Sequence, residues 1–290
     1  MNSQRKARIR KMLDTLVMYY TAFPVVRYAT AVIILVSLCS ALLGVSLVLK
    51  RFSMIGDGLS HVAFGGTAIA TAAGFAPLYV AVPLTVVCAV LLLRMKSTKI
   101  RGDAAIAMIS AGALALGYLA LSVFPEKASS IAGDACTALF GSQSIIGTDL
   151  TDVIVCSVLA LLVIAFIVIF YNRIFAVTFD EGFARATGTH TEVYNTMLAA
   201  VTGVVIVIAM KMVGALLISA LITFPALSAM RVFKTFKSVM ICASAISLAC
   251  AIAGLLFAIT LSTPIGPTVA VANIIVFGIF YTTGKIKARA

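Results

Sequence analysis

Asp57 and His61 stand four residues apart in the stretch Phe52-Ser53-Met54-Ile55-Gly56-Asp57-Gly58-Leu59-Ser60-His61-Val62-Ala63-Phe64-Gly65-Gly66. The chain has only ten acidic residues, most of them in loops or at the ends of apolar runs, and only two histidines. On a helix, positions i and i+4 share a face, so this carboxylate and this imidazole point the same way. With Arg51 at the inner surface of a membrane, the helical rise sets Asp57 roughly 9 Å and His61 roughly 15 Å into a core about 30 Å thick. An ionisable side chain at that depth is costly and marks a transport path or a paired site. A borderline divalent cation accepts both imidazole nitrogen and carboxylate oxygen. Two ligands from one chain are too few to close such a site. Two copies meeting at a symmetry axis would supply four, enough to hold an ion and loose enough to release it. Two other readings use the same residues: Asp57 as a helix cap beside a satisfied core histidine, or the pair as a proton relay. The neighbours Gly56, Gly58, Ser60, Ala63, Gly65, Gly66, Ala68 and Ala70 are small, which suits close helix packing around a path or ordinary tight packing.

A second stretch, Phe179-Asp180-Glu181-Gly182-Phe183-Ala184-Arg185-Ala186-Thr187-Gly188, carries Glu181, Ala184 and Gly188 in the pattern E-x-x-A-x-x-x-G. Asp180 and Glu181 favour a helix start and Gly188 a helix stop. A short helix here, with small and aromatic residues on one face, reads as a docking element or as a plain connector. His190 lies just beyond it, on the wrong side of the path for a ligand. No G-x-x-x-x-G-K-[ST] occurs, since Gly284-Lys285 is followed by Ile286. ATP binding by a P-loop is therefore excluded, and an ATP-driven process would need its motor on another chain. The six cysteines form no C-x-x-C pair, and all but Cys136 lie in apolar runs, so they read as small buried residues.

The elements that must position these residues follow from composition. Of 290 residues, 62% are hydrophobic and 11% charged, with a mean hydropathy of +1.15. Soluble domains carry about 25% charged residues, so a soluble enzyme is excluded and the chain is a polytopic, all-α membrane protein. The net charge of +12 records orientation rather than nucleic-acid binding. Uncharged runs mark nine segments at 28–49, 53–75, 77–93, 104–124, 153–172, 193–210, 212–230, 238–262 and 265–284, with eight or ten as the bounds. Lys211 alone divides the sixth from the seventh. Fourteen Lys and Arg fall after odd-numbered segments or in the C-terminal tail, against Lys127 and Lys211 after even-numbered ones. That bias places the odd loops and the C-terminus in the cytoplasm. The other six precede the first segment, so residues 1–24 read as a basic tail with an interfacial helix at 13–23, and 25–290 as one transmembrane domain. The acidic outer loop 125–152 is apolar in its middle and reads as a short surface helix or a solvated loop.

The stretch Val48-Leu49-Lys50-Arg51-Phe52 through His61 resembles the leading motif of the membrane subunit of zinc/manganese (and iron) ATP-binding-cassette importers. Val213-Gly214-Ala215-Leu216-Leu217-Ile218-Ser219-Ala220-Leu221-Ile222-Thr223-Phe224-Pro225 through Ala229 resembles the second characteristic stretch of that family, and residues 179–188 resemble its coupling helix. The likeness runs in order from about residue 25 to the C-terminus. The basic extension at 4–11, Gly58 and Gly65-Gly66 depart from it without touching the ligands. The resemblance implies a permease fold in a bacterial inner membrane, working with a cytoplasmic ATPase, an extracellular metal-binding protein and a second permease subunit. It implies that Asp57 and His61 carry Zn²⁺ or Mn²⁺ in transit, that Glu181, Ala184 and Gly188 couple to the ATPase, and that the chain is no enzyme and has no cofactor of its own, ATP being bound by the partner. A stand-alone metal or proton transporter, and a permease for a metal chelate such as a siderophore, are the rival readings.

Overall fold

The computed structural model describes residues 23–94, 102–124, 147–261 and 263–287, and in them every regular element is a helix. In chain order these are α1 (Pro24–Leu49), α2 (Ile55–Ala73), α3 (Pro77–Arg94), α4 (Gly102–Val123), α5 (Leu150–Ile169), α6 (Tyr171–Phe179), α7 (Glu181–Ala186), α8 (Thr191–Val213), α9 (Ala215–Val232), α10 (Phe236–Leu261) and α11 (Ile265–Lys287). The nine segments expected from the sequence each correspond to one long helix. The interfacial helix expected at 13–23 lies outside the described residues except for Phe23, and the outer loop lies outside them over 125–146.

One boundary is corrected. The sixth and seventh segments part at Gly214, not at Lys211, because α8 runs on through the lysine to Val213. Gly214 has φ +93, a backbone state closed to residues with a Cβ. Lys211 is exposed in the last turn of α8, where a cation complements the helix dipole and breaks nothing.

Eight of these helices are long and apolar enough to cross a membrane, and α2 is the long helix that falls short. Its neighbours explain how it is tolerated: α2 packs on α3 and α4, and also on α8 and α9. A helix enclosed by protein can hold polar groups that lipid would reject. Most of α2 is buried, whereas α4 buries little beyond Ala105, Ile106, Gly117 and Leu121 along the strip facing α2. The second half of the bundle forms around α1, which packs on α5, α9 and α10, with α11 against α9 and α10.

Glycines set the spacing around α2. A Cβ on Gly65 would lie 2.4 Å from the carbonyl oxygen of Ala113 in α4, and one on Gly66 would lie 2.9 Å from the Cα of Ala81 in α3. On the α4 side, a Cβ on Gly117 would meet Gly65 at 2.8 Å. In the other half, Gly44 of α1 lies so close to the Ile222 carbonyl of α9 that no side chain fits. Small residues at such crossings bring backbones together where no hydrophobic force drives helix association.

Changing Gly65→Ala should therefore lever α4 off α2 and cost about 1–3 kcal/mol, as overpacked sites do. Gly112→Ala, in the facing helix α4 with open space at its Cβ, is the control and should leave stability unchanged or slightly raised. Thermal unfolding of the two purified variants beside the parent checks the pair.

Candidate functional site

Asp57 lies in the first turn of α2, where the helix dipole favours an anion. It does not cap the helix: the N-cap is Met54, and no side chain caps it. His61 Nε2 is 3.7 Å from Asp57 Oδ1, beyond hydrogen-bond range. His61 Nδ1 is buried with no hydrogen-bond partner among the described residues. Buried polar atoms are nearly always paired, so neither ring nitrogen behaves as that of a satisfied core histidine. The Asp57 side chain is 49% exposed and that of His61 22%, while the residues on either side of each are buried. The pair thus opens from an otherwise enclosed helix.

Two ligands about 2.1 Å from a tetrahedral ion stand roughly 3.4 Å apart. The gap between Nε2 and Oδ1 is close to that, so one ion can touch both without a rotamer change. Among the described residues no group of three or more His, Cys, Asp or Glu gathers into a metal site. A single chain therefore offers an incomplete, open donor set.

The turn that aims α2 is built from Lys50, Arg51, Phe52 and Ser53. Arg51 has φ +65, unusual for a residue with a side chain. The Arg51 amide donates to Val48 O and the Phe52 amide to Leu47 O, each at 3.0 Å, which closes α1 as a Schellman motif with arginine where glycine is usual. Phe52 is buried, and Thr223 Oγ1 of α9 donates to Ser53 O at 3.0 Å. Both α1 and α9 therefore grip the lead-in to Asp57.

The basic residues collect at one end of the bundle. Lys50 Nζ donates to Asn195 Oδ1 at the start of α8, and Arg94 Nη2 to Thr196 Oγ1 at 3.4 Å. Arg231 lies over the ring of Tyr281 near the end of α11. Tyr171, Phe175 and Phe179 of α6 surround Phe236 at the start of α10. Helix α7 belongs to the same end. Its N-cap, Asp180, accepts from the Phe183 amide at 2.9 Å, and beyond it Gly188 takes φ +82 while the Thr189 amide returns to Ala184 O at 2.9 Å. Both ends of the helix are thus set as the sequence suggests.

Within α7 the residues divide. Ala184 is buried, and Glu181 Oε1 accepts from Asn195 Nδ2 at 3.0 Å, so these two hold the helix to the bundle. Gly182, Phe183 and Arg185 face outward, with Phe183 66% exposed. His190 is exposed at the N-cap of α8, close to α7 and remote from Asp57 in sequence. The roles of Phe183, Lys50 and Asn195 are not visible in a motif, although an asparagine in an apolar segment and a lysine preceding a left-handed turn are the signals that could have raised them.

The chain was compared with known proteins. A family model described as the ABC 3 transport family matches residues 22–283. The high-affinity zinc uptake system membrane protein ZnuB of Haemophilus influenzae is 27% identical over 245 residues, covering 84% of this chain and 92% of that protein. The manganese import system permease protein ScaB of Streptococcus gordonii is 26% identical over 245 residues, covering 84% and 86%. Among solved structures, PsaBC from Streptococcus pneumoniae in complex with Fab aligns with a TM-score of 0.80 at 24% identity, covering 94% of this chain and 95% of that one. The likeness to PsaBC establishes the fold.

Replacing Asp180 with alanine removes the N-terminal side-chain cap of α7. The expected loss is about 1 kcal/mol locally, or roughly fivefold faster amide exchange at Phe183. Hydrogen exchange of residues 181–187 should show it, with exchange in the core of α8 unchanged.

Proposed function

The chain belongs to the ABC 3 transport family, as a multi-pass membrane permease, and on that premise we propose that it is the membrane subunit of an ATP-driven importer of zinc or manganese. The observation that carries the reading is the Asp57–His61 pair: one carboxylate and one imidazole, 3.7 Å apart, opening from a helix otherwise packed in protein. The pair fits a bare divalent ion in passage. A second permease subunit facing the same ion across a two-fold axis would raise the donors to two carboxylates and two imidazoles. Such a set binds an ion yet stays weaker than a closed four-ligand cage on one chain.

The permease works by alternating access. An extracellular metal-binding protein delivers the ion to the outer end, and the ion passes to Asp57 and His61. Helix α7 rests on a cytoplasmic ATPase, with Phe183 as the side chain that reaches furthest from the bundle. Nucleotide binding and hydrolysis shift α7 and change which end is open. The chain supplies ligands and motion, and ATP chemistry stays with the partner. Family membership supports a subunit over a stand-alone transporter, and the names of the relatives support zinc or manganese as cargo.

Asp57→Ala and His61→Ala should each abolish uptake by the assembled importer while leaving insertion and assembly intact. Radiometal uptake at equal expression decides this, and wild-type rates in either variant would remove the site assignment. The same assay with free zinc, free manganese and a ferric chelate separates the ions from each other and from chelate cargo.

A further inference from the structure

Lys50 and Asn195 are both buried, at 7% and 4% exposure, and they join two features that the fold otherwise keeps apart. Asn195 Nδ2 donates to Glu181 Oε1 of α7, and Asn195 Oδ1 accepts from Lys50 Nζ. Lys50 is the C-cap of α1, immediately before the left-handed Arg51 and seven positions before Asp57. On the far side of the turn, Ser53 is tied to α9 through Thr223. We infer that Lys50 and Asn195 are positioning residues that link α7 to the turn leading into α2, so that a displacement of α7 is felt at the Asp57–His61 pair. The inference rests on the reading of α7 as the ATPase contact and adds the route from that contact to the ion ligands.

Three physical points carry it. The Lys50 ammonium is buried and donates to the Asn195 side-chain oxygen, so a shift of Asn195 disturbs the setting of a buried charge. A side-chain amide offers a donor and an acceptor pointing apart, and Asn195 uses one toward each partner. The segment it pulls on is a turn that holds Arg51 in a sparsely populated backbone state. Shifting such an element is how a small displacement at one site reaches another. Arg185 reaches Glu181 from within α7 at 3.8 Å and Thr191 of α8 at 3.4 Å, and Arg173 of α6 holds Thr189 at 3.0 Å. These contacts stiffen α7 on the start of α8 without touching the turn before α2.

The test uses the full importer in liposomes, with its ATPase and metal-binding protein, and reads metal taken up per ATP hydrolysed. In Lys50→Gln and in Asn195→Ala the ratio should drop roughly tenfold while hydrolysis stays within about twofold of the parent. The double variant should be no worse than either single one, because the two act as one link. Asn195→Asp keeps the contact to Lys50 but sets a carboxylate against Glu181. It should lower the ratio as well, because it breaks the Asn195–Glu181 contact while leaving an acceptor for Lys50. Lys50→Arg, which keeps a cation within reach of Asn195, should retain most of the coupling.

A parental ratio in both Asn195→Asp and Lys50→Gln overturns the inference, as does a double-variant deficit equal to the product of the single ones. Co-purification of the ATPase is scored for each variant, so that lost assembly is not read as lost coupling. Disulfide cross-linking from Phe183→Cys to the ATPase tests the docking of α7 separately. Its absence removes the docking reading, whereas cross-linking with normal coupling in the variants removes the link alone.

Discussion

A carboxylate and an imidazole on one transmembrane helix require that the helix be kept from lipid, and most of this architecture follows from that requirement. Helix α2 is the long helix too polar to cross a membrane on its apolar surface alone. It is surrounded by α3, α4, α8 and α9, and three glycines of the α2 region and α4 let backbones meet at distances no side chain would permit. Apolar length elsewhere in the chain shields this one helix. The opening at Asp57 and His61 is the gap in that shield, and both side chains stand in it without a partner of ordinary kind.

The end of the bundle that carries α7 shows how such a helix can be aimed. Its lead-in turn is closed by backbone bonds from Arg51 and Phe52, anchored by the buried Phe52 ring and held from two sides, by Thr223 of α9 and through Lys50 by Asn195 of α8. Arginine at a position that usually takes glycine costs about 1–2 kcal/mol in backbone strain, and the surrounding contacts maintain it. Helix α7, only six residues long, would not persist alone in water. It exists because Asp180 caps it, Gly188 ends it, and Ala184 and Glu181 fasten it to the bundle.

The elements were largely legible in the sequence, because charge-free runs bounded by Lys and Arg leave little freedom in where a helix crosses. The boundary at Gly214 was misplaced since a charge was given more weight than a backbone requirement. The closeness of the Asp57 and His61 side chains was legible from their four-residue spacing. The facing of each helix was not: in a membrane the outward side is as apolar as the inward one, so hydrophobic periodicity does not tell α4, mostly exposed, from α1, mostly buried. For the same reason Ala184 and Phe183, adjacent in sequence, gave no hint that one faces the bundle and the other water. The contact from Lys50 to Asn195 spans 145 positions and rests on tertiary packing that no local pattern encodes.

The polarity of α2 also bears on how the chain is made. The insertion machinery samples segments one after another as they leave the ribosome, and a segment with an aspartate and a histidine in its first two turns partitions poorly by itself. Helix α1 precedes it and is strongly apolar, and α3 follows after a turn of three residues, Gly74-Phe75-Ala76. Helix α3 is therefore the first of its packing partners that α2 meets during synthesis. Until α4, α8 and α9 are made, the helix that carries Asp57 and His61 has only one of its four packing partners for cover.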